Sequence, residues 1–478
     1  MAFRHAFGRP PAVAGEAMVA TSQPLATRSG LRALERGGTA ADAALAAAAV
    51  LSVTEPMSTG IGGDAFALIW RDGELSGLDA AGAAPANAFP LKPVKERGPH
   101  SVTVPGAAGG WAALAERHGR LGLDRCLADA IDIAERGFAV APRTAAAWAA
   151  ADQLPSELAP APRLGERVRM PDLAGTLRRI CEHGPDAVYG GSVAEAICAV
   201  SWLEQEDLER YRASWAQPLR IGYRGVEVAE LPPPTQGVAA AEALGLLEGM
   251  TPDLPSQIAC ARLALEDALS HVRDGADVSA LLDPARLARR RGEAQARVAE
   301  PGGGTVYLCA VDGSGMAVSM VQSLYADFGS GIVAPDTGIV LQNRGAGFTV
   351  GGRVEPGRRP FHTIIPGMLL RDGRLLGPFG VMGGFIQAQA HMQLVSALVD
   401  DRLDPQAALD RSRFLVDGDV MRLEQGLWGR VEELDRLGLR SVRERDTSRF
   451  GGGQCILVDG DALVGGSDPR KDGYAAGF

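Results

Sequence analysis

Apolar and polar residues alternate in two neighbouring runs, residues 305–311 and 316–323, on either side of the turn Asp312-Gly313-Ser314-Gly315. Alternation with a period of two around an Asp/Gly turn predicts a β-hairpin. Three glycines precede the first run, so Thr305 is expected at the first position of the hairpin. The pattern therefore predicts a hydroxyl group where a flexible peptide enters a rigid strand.

Helical periodicity dominates much of the remaining chain. A helix is expected to begin near Pro24 and to end at Gly37-Gly38. Thr39 then caps an Ala-rich helix over residues 40–53, with Asp42 as the second member of a capping box. Because this helix has almost no polar face, it should be buried. The pattern further predicts strands at residues 65–70, 221–231, 367–370 and 374–376, and helices at 123–136, 173–183, 193–203, 238–247 and 386–398.

Composition and charge exclude several classes of partner. The chain has 48 Lys and Arg against 58 Asp and Glu, and the net charge of -10 argues against nucleic acid or an anionic membrane as the main partner. Six cysteines without CxxC spacing are typical of reduced thiols in a cytoplasmic protein. The N-terminus lacks the apolar core of a signal peptide, and no stretch is apolar enough to span a membrane. We therefore expect a soluble, cytoplasmic protein.

Several common catalytic motifs are missing from the sequence. The seven histidines form no HExxH motif, and the sequence has no GxSxG elbow and no GxGxxG motif after a strand. No metal and no cofactor are therefore expected. From the residues alone, His362 and His391 are interpreted as packed or hydrogen-bonded histidines.

Two local features nevertheless suggest chemistry. Cutting the Gly304–Thr305 bond would make Thr305 an N-terminus whose α-amine, with a pKa of about 7.7 to 8.0, could serve as the base for its own hydroxyl. Gly383-Gly384 stands at the entrance of a predicted helix, where unpaired N–H groups can hold an oxyanion. Each feature also has a simpler explanation. The first could be an ordinary hairpin with a Gly-rich entry loop, and the glycine pair could serve only close backbone packing. These residues alone leave both explanations open.

The order of nine motifs resembles that of the gamma-glutamyltranspeptidase family from near residue 16 to the C-terminus. They are MVATSQPLATRSGLRALERGGTAADAA, EPMSTGIGGDAF, VPGAAGGW, GPDAVYGG, LPPPTQG, TVYLCAVDGSGMAVSMVQSL with FGSGIV, RPFHTIIPG, VMGGF and SDPRKDGYAAGF. Nine motifs that occur in the same order identify a family far more specifically than any single motif does.

This resemblance implies an N-terminal-nucleophile hydrolase of α/β (α+β) class, folded as a four-layer αββα sandwich. Self-cleavage before Thr305 would give a large subunit, residues 1–304, and a small subunit, residues 305–478, which together build one domain. The charge-rich segment 274–304 is the expected boundary. By the same resemblance, Gly383 and Gly384 form the oxyanion hole, and Ser323 contacts the nucleophile.

The sequence departs from the family where a γ-glutamyl group would be held. The family's carboxylate-binding arginine falls on Ala81, its acidic residue on Gly347, and its asparagine on Tyr325. Its paired serines fall on His362 and Thr363, and Arg344 stands where the family has an amide. The loss of these charge-assisted contacts, worth about 1.5 to 3 kcal/mol each, argues against glutathione as the substrate.

The variant motifs look like the branch of the family that includes oxamate amidohydrolase and acylase-like members. The resulting hypothesis is an amidohydrolase for a small anionic amide, with Tyr325, Arg344, His362 and Thr363 as candidate substrate-binding residues. Two alternatives stay open, a gamma-glutamyl hydrolase or transferase and a non-catalytic protein that binds a small acid. A homodimer of large and small subunit pairs is also left open.

Overall fold

A computed structural model describes residues 9–89, 92–291 and 304–478. Its framework is two seven-stranded sheets in which all neighbouring strands are antiparallel. Sheet I consists, in order, of Tyr474–Gly477, Met18–Thr21, Gly304–Val311, Ala317–Tyr325, Asp64–Arg71, Glu74–Ala80 and Ser214–Ala216. Sheet II consists, in order, of Ala12–Ala14, Ala462–Ser467, Gly452–Asp459, Arg374–Met382, Gly367–Arg371, Val226–Glu230 and Leu219–Tyr223.

Alternation along the strands explains how the sheets and helices stack. In the strand Gly304–Val311, Tyr307 and Cys309 belong to the apolar core between the sheets, whereas Val306 and Leu308 join the core beneath the helices. Sheet II is also apolar on both faces. Since each sheet has two apolar faces to cover, the stable arrangement is helices, sheet, sheet, helices. The predicted four-layer αββα sandwich is confirmed.

The two helical layers come from different parts of the chain. Sheet I is covered by Pro24–Glu35, Ala40–Thr54, Ala107–His118, Leu123–Arg136, Pro142–Ala150, Pro171–His183, Asp186–Tyr189, Gly191–Val200 and Gln205–Glu209. Sheet II is covered by Gly237–Leu247, Leu254–His271, Pro284–Arg290, Ile386–Val399, Pro405–Asp410 and Val431–Arg436. Small sheets are formed by Phe138–Ala139 with Arg167–Val168, by Val333–Ala334 with Ile339–Val340, and by Phe414–Asp417, Val420–Leu423 and Ser441–Arg443.

The Ala-rich helix forms as predicted. It spans Ala40–Thr54, every residue in it is buried, and Thr39 and Asp42 form the reciprocal capping box. Asp42 also accepts hydrogen bonds from the backbone N–H groups of Arg120 and Leu121. The carboxylate thus caps the helix and ties it to the loop after the helix Ala107–His118.

The predicted hairpin also forms, with one difference at its entrance. Its strands are Gly304–Val311 and Ala317–Tyr325, so Thr305 is the second residue of the first strand and not the first. Thr305 pairs with Ser323, and the register shifts between Gly304 and Thr305 so that Gly304 lies opposite Tyr325. This irregularity places the Gly304 carbonyl beside the side chain of Ser323.

Residues before and after position 304 contribute strands to both sheets. The last strand, Tyr474–Gly477, pairs with Met18–Thr21 near the start of the chain. The proposed large and small subunits would therefore share one interleaved core, and a cut at residue 304 would leave the strand pairing intact. Within the three described ranges, no helix has the length and apolarity needed to cross a membrane.

Candidate active site

The Gly304–Thr305 junction lies at the end of sheet I, next to the second strand of the hairpin. The Thr305 side chain is almost fully buried, with a relative exposure of 2% for the residue. Its Oγ lies 3.1 Å from the Oγ of Ser323. The predicted nucleophile and its predicted hydroxyl neighbour are therefore in contact.

The Ser323 hydroxyl is the centre of this arrangement. It lies 2.8 Å from the Gly304 carbonyl oxygen, 2.8 Å from the Tyr325 amide nitrogen and 3.1 Å from Nη2 of Arg344. The carbonyl can only accept, and the amide and the guanidinium can only donate, so the Ser323 proton must point to Gly304. Thr305 then donates to Ser323. The donors behind Ser323 strengthen its hydrogen bond to the carbonyl that Thr305 would attack.

Tyr325 adopts an unusual backbone conformation that completes this contact. Its φ is +81°, in the region that residues other than glycine rarely occupy. The turn directs its N–H to Ser323 and places its ring 4.4 Å from the guanidinium carbon of Arg344. Such strain persists where the surroundings impose it, and it is concentrated at functional sites.

Arg344 is a fully buried cation at the start of the segment Arg344–Gly351. Its Nη1 donates to Oγ1 of Thr363 at 3.2 Å and its Nη2 to Ser323, while its Nε has no partner among the described residues. Within the described residues, no carboxylate forms a salt bridge with it. Burial lowers the pKa of Arg344 to about 10, against the opposing effects of Asp64 and Tyr325, so it stays charged at neutral pH. The site thus holds a positive charge that lacks a directly bound anion.

His362 lies behind this cation and already has partners on both ring nitrogens. Nδ1 lies 2.7 Å from the Pro360 carbonyl oxygen, and Nε2 lies 3.0 Å from Oδ2 of Asp64. The other oxygen of Asp64 accepts from the backbone N–H groups of Gly82 and Gly106. Burial lowers the pKa of His362, and the hydrogen bond to Asp64 opposes that shift. To bind a substrate directly, His362 would have to give up one of these contacts.

Gly383 and Gly384 follow the strand Arg374–Met382 with φ values of +122° and +73°. Neither N–H donates a hydrogen bond within the described part of the chain. Nε2 of Gln236 donates to the carbonyl oxygens of both Gly384 and Thr363, at 3.1 and 2.5 Å. Gln236 therefore links the glycine pair to the residue that binds Arg344.

The altered family positions are closely packed. Ala81 is buried, and its N–H donates to the carboxylate of Asp79 at 3.1 Å. A Cβ atom at Gly347 would lie 2.4 Å from the carbonyl oxygen of Phe361. An acidic side chain at position 347 would therefore require the backbone to move.

Sequence reasoning found Thr305, Ser323, Tyr325, Arg344 and Thr363, which the structure joins in one network of hydrogen bonds and ring contacts. It missed Asp64 and Gln236. The available signals were an Asp directly before the predicted strand 65–70 and a Gln two residues after Pro232-Pro233-Pro234. Among the described residues, no group of three or more His, Cys, Asp or Glu could hold a metal ion.

The four-layer αββα sandwich, with a buried hydroxyl at the entrance of a central hairpin, is the architecture of N-terminal-nucleophile hydrolases. The particular family follows from comparison with known proteins. The chain belongs to the gamma-glutamyltranspeptidase family, whose model matches residues 26–478.

Several relatives match over nearly their whole length. Oxamate amidohydrolase proenzyme from Klebsiella pneumoniae subsp. pneumoniae is 34% identical, covering 98% of this chain and 99% of the relative. Acylase ACY 1 proenzyme from Pseudomonas sp. strain V22 is 31% identical, covering 97% and 94%. The crystal structure of cephalosporin acylase from Bacillus halodurans superposes with a TM-score of 0.93 at 39% identity, covering 100% of this chain and 98% of that structure.

These relatives are named as hydrolytic proenzymes, which supports an enzyme that is processed into two subunits. The alternative of a non-catalytic protein that binds a small acid has no such support. The prediction of a cytoplasmic location stays a prediction.

Proposed function

We propose that the chain cuts itself between Gly304 and Thr305 and then hydrolyses a small anionic amide of the oxamate type through an acyl-enzyme on Thr305. The observation that carries this proposal is the contact set at the junction. The Ser323 hydroxyl donates to the Gly304 carbonyl and lies 3.1 Å from the Thr305 hydroxyl. The products would be a large subunit of residues 1–304 and a small subunit of residues 305–478.

In the precursor, Oγ of Thr305 attacks the carbonyl carbon of Gly304, and the Ser323 O–H stabilises the oxyanion that forms. The proton of the Thr305 hydroxyl is transferred to the Thr305 nitrogen, the C–N bond breaks, and Gly304 becomes esterified to Oγ of Thr305. Water then hydrolyses the ester. This releases the Gly304 carboxylate and leaves Thr305 with a free hydroxyl and a free α-amine.

In the mature enzyme, the α-amine of Thr305 takes the proton of its own hydroxyl, which attacks the substrate amide. The free N–H groups of Gly383 and Gly384 bind the developing oxyanion. The protonated α-amine gives its proton to the leaving nitrogen, so the amine product departs. Water then attacks the acyl-enzyme, and the acid is released with the Thr305 hydroxyl restored. The positive charge of Arg344 favours the neutral form of a nearby amine, so the base is available near neutral pH.

The substrate class is inferred from Arg344. A buried guanidinium with an unpartnered Nε and no directly bound carboxylate is suited to binding a carboxylate group. Thr363 and Tyr325 hold this guanidinium in place, and its charge also acts on His362. The name of the Klebsiella relative supports a small anionic amide. A γ-glutamyl group is disfavoured because position 347 has no room for an acidic side chain to bind its amine.

The direct test is intact-mass spectrometry of the purified protein followed by an amide panel. We expect two fragments, one beginning at Met1 or Ala2 and one at Thr305, and the highest kcat/KM for oxamate within a panel that also contains glutaryl amides and γ-glutamyl anilide. A single chain that remains uncut would contradict the self-cleavage step. Turnover of γ-glutamyl anilide that matches the best small anionic amide would contradict the assigned substrate class.

Gly304→Ala provides a second test, directed at the geometry of the junction. A Cβ atom at Gly304 would lie 2.7 Å from Oδ1 of Asp327 and 2.9 Å from the carbonyl oxygen of Met57. Because the Met57 oxygen belongs to the backbone, either that backbone or the scissile junction must shift. A displacement of the junction by about 1 Å can slow a reaction by about 10²-fold. We expect the time course of cutting, followed by gel electrophoresis, to slow by that order. Gly313→Ala in the hairpin turn is the matched control, since a Cβ there meets nothing closer than 3.7 Å.

A further inference from the structure

Asp327 lies directly against the scissile junction and has no role in the steps described above. Its Oδ1 is 2.7 Å from the position that a Cβ atom on Gly304 would occupy. Only the absence of a side chain on Gly304 allows this approach. The carboxylate therefore lies beside the α-carbon that carries the scissile carbonyl.

The loop that carries Asp327 is held firmly in place. Arg97 donates to the backbone oxygens of Asp327 and Gly329, at 2.9 and 3.0 Å. The next residue, Phe328, is fully buried, and its N–H donates to the Met57 carbonyl at 2.8 Å. That same Met57 oxygen also approaches Gly304. Gly304 and Asp327 are thus positioned by shared contacts.

A cavity of about 360 Å³ opens from Asp327 towards Gly383 and is large enough for several water molecules. Its charged lining groups are Arg97, Asp152, Asp327, Asp446 and Arg449. Burial raises the pKa of Asp327, while Lys471 and Arg97 oppose that shift and Asp152 adds to it. Water that approaches the junction from this cavity therefore meets the Asp327 carboxylate.

We propose that Asp327 is the general base for the second step of self-cleavage, the hydrolysis of the Gly304–Thr305 ester. A water molecule in the cavity gives a proton to Asp327 while its oxygen bonds to the carbonyl carbon of Gly304. The tetrahedral intermediate collapses, and the bond from Gly304 to Oγ of Thr305 breaks. Oγ receives the proton held by Asp327, so the carboxylate is regenerated and a Gly304 carboxylic acid is released.

Other groups at the junction are less suited to this task. Ser323 has one proton, which it gives to the Gly304 carbonyl, and its lone pairs face donors. Arg344 is a cation and cannot take a proton from water. The newly freed α-amine of Thr305 is the remaining alternative, and the Asp327→Asn variant distinguishes it from Asp327. Within the described residues, Asp327 is the carboxylate whose oxygen contacts the Gly304 side of the junction.

The inference rests on the proposed self-cleavage and is tested by comparing Asp327→Asn with Thr305→Ala. Loss of a general base slows a step by about 10²-fold or more, so the Asp327→Asn precursor should persist far longer than the wild type on a gel. Because ester formation does not need Asp327, this precursor should contain the Gly304–Thr305 ester. Adding hydroxylamine at neutral pH should split it rapidly, and mass spectrometry should find Gly304 as a hydroxamate.

Asp152→Asn is the matched control because it removes the same charge from the wall of the same cavity. It should cut at the wild-type rate. Thr305→Ala should resist both water and hydroxylamine, since it can form no ester. The hydroxylamine reaction also shows that the Asp327→Asn protein is folded, because a misfolded junction would not form the ester.

Two results would overturn the assignment of Asp327 alone. The first is cutting of Asp327→Asn at the wild-type rate. The second is a folded Asp327→Asn precursor, with an unchanged melting temperature, that hydroxylamine cannot split. Cutting of Thr305→Ala would instead overturn the self-cleavage on which the inference depends.

Discussion

Thr305→Ala is expected to leave the purified protein as one uncut chain of 478 residues with no amidase activity. The hydroxyl is the proposed nucleophile for both the cut and the substrate reaction, so its loss removes both. Removal of a catalytic nucleophile lowers turnover by a factor on the order of 10⁶. Intact-mass spectrometry after prolonged incubation measures the first effect, and ammonia release from oxamate measures the second.

Thr305→Ser is the matched control because it keeps the hydroxyl and loses only the methyl group. We expect it to cut at the same bond, so the small fragment should begin with the introduced serine. The Ala variant should also fold normally, since the Oγ of Thr305 makes one hydrogen bond in the described structure, to Ser323. Formation of both fragments by a folded Thr305→Ala protein would contradict the assignment of the nucleophile.

Arg344→Met is expected to lower kcat/KM for oxamate by about 10- to 10²-fold, because a charge-assisted hydrogen bond contributes about 1.5 to 3 kcal/mol. The measurement uses protein that has completed its self-cleavage. Oxamide has the same heavy-atom skeleton without the negative charge, so the loss with oxamide should be much smaller. Methionine keeps an apolar stem against the Tyr325 ring and removes the cation together with its hydrogen bonds to Ser323 and Thr363. The ratio of kcat/KM for oxamate to that for oxamide therefore reports the charge of Arg344.

The melting temperature of the Arg344→Met protein shows whether Arg344 binds the substrate or mainly stabilises the fold. A fully buried cation without a carboxylate partner costs desolvation energy, so Arg344→Met should leave the melting temperature unchanged or raise it. Thr363→Val is the companion variant, since it removes one partner of the guanidinium and keeps the charge. An equal loss of activity with oxamate and oxamide, together with a lower melting temperature, would show that Arg344 mainly supports the fold.

Much of the architecture could be predicted because it depends on neighbouring residues. The hairpin around Asp312 and the helix capped by Thr39 are specified by period and by capping chemistry, which act within a few residues. The resemblance of ordered motifs then pointed to Thr305, Ser323 and the glycine pair. The start of the first hairpin strand was wrong by one residue, because the register shift at Gly304 depends on its pairing with Tyr325.

The candidate site residues could thus be identified from the sequence, but the hydrogen bonds and packing contacts between them could not. Arg344 was predicted as a candidate substrate-binding residue, but its burial depends on which chain segments surround it. Gln236, which joins Thr363 to Gly384, is separated from them by 127 and 148 positions in sequence. No local pattern specifies such contacts, because they follow from the stacking of two sheets.

The order of amino acids alone specified a hydroxyl at the entrance of a central hairpin and, through its ordered motifs, the family and class of chemistry. Those properties depend on residue type and spacing, which the chain carries in one dimension. Three-dimensional packing established that Ser323 donates to the Gly304 carbonyl and that Asp327 lies against the junction. It also showed that, in the described part of the chain, no carboxylate binds Arg344 directly. These are distances between side chains from separate segments, and they exist only once the sheets have paired and packed.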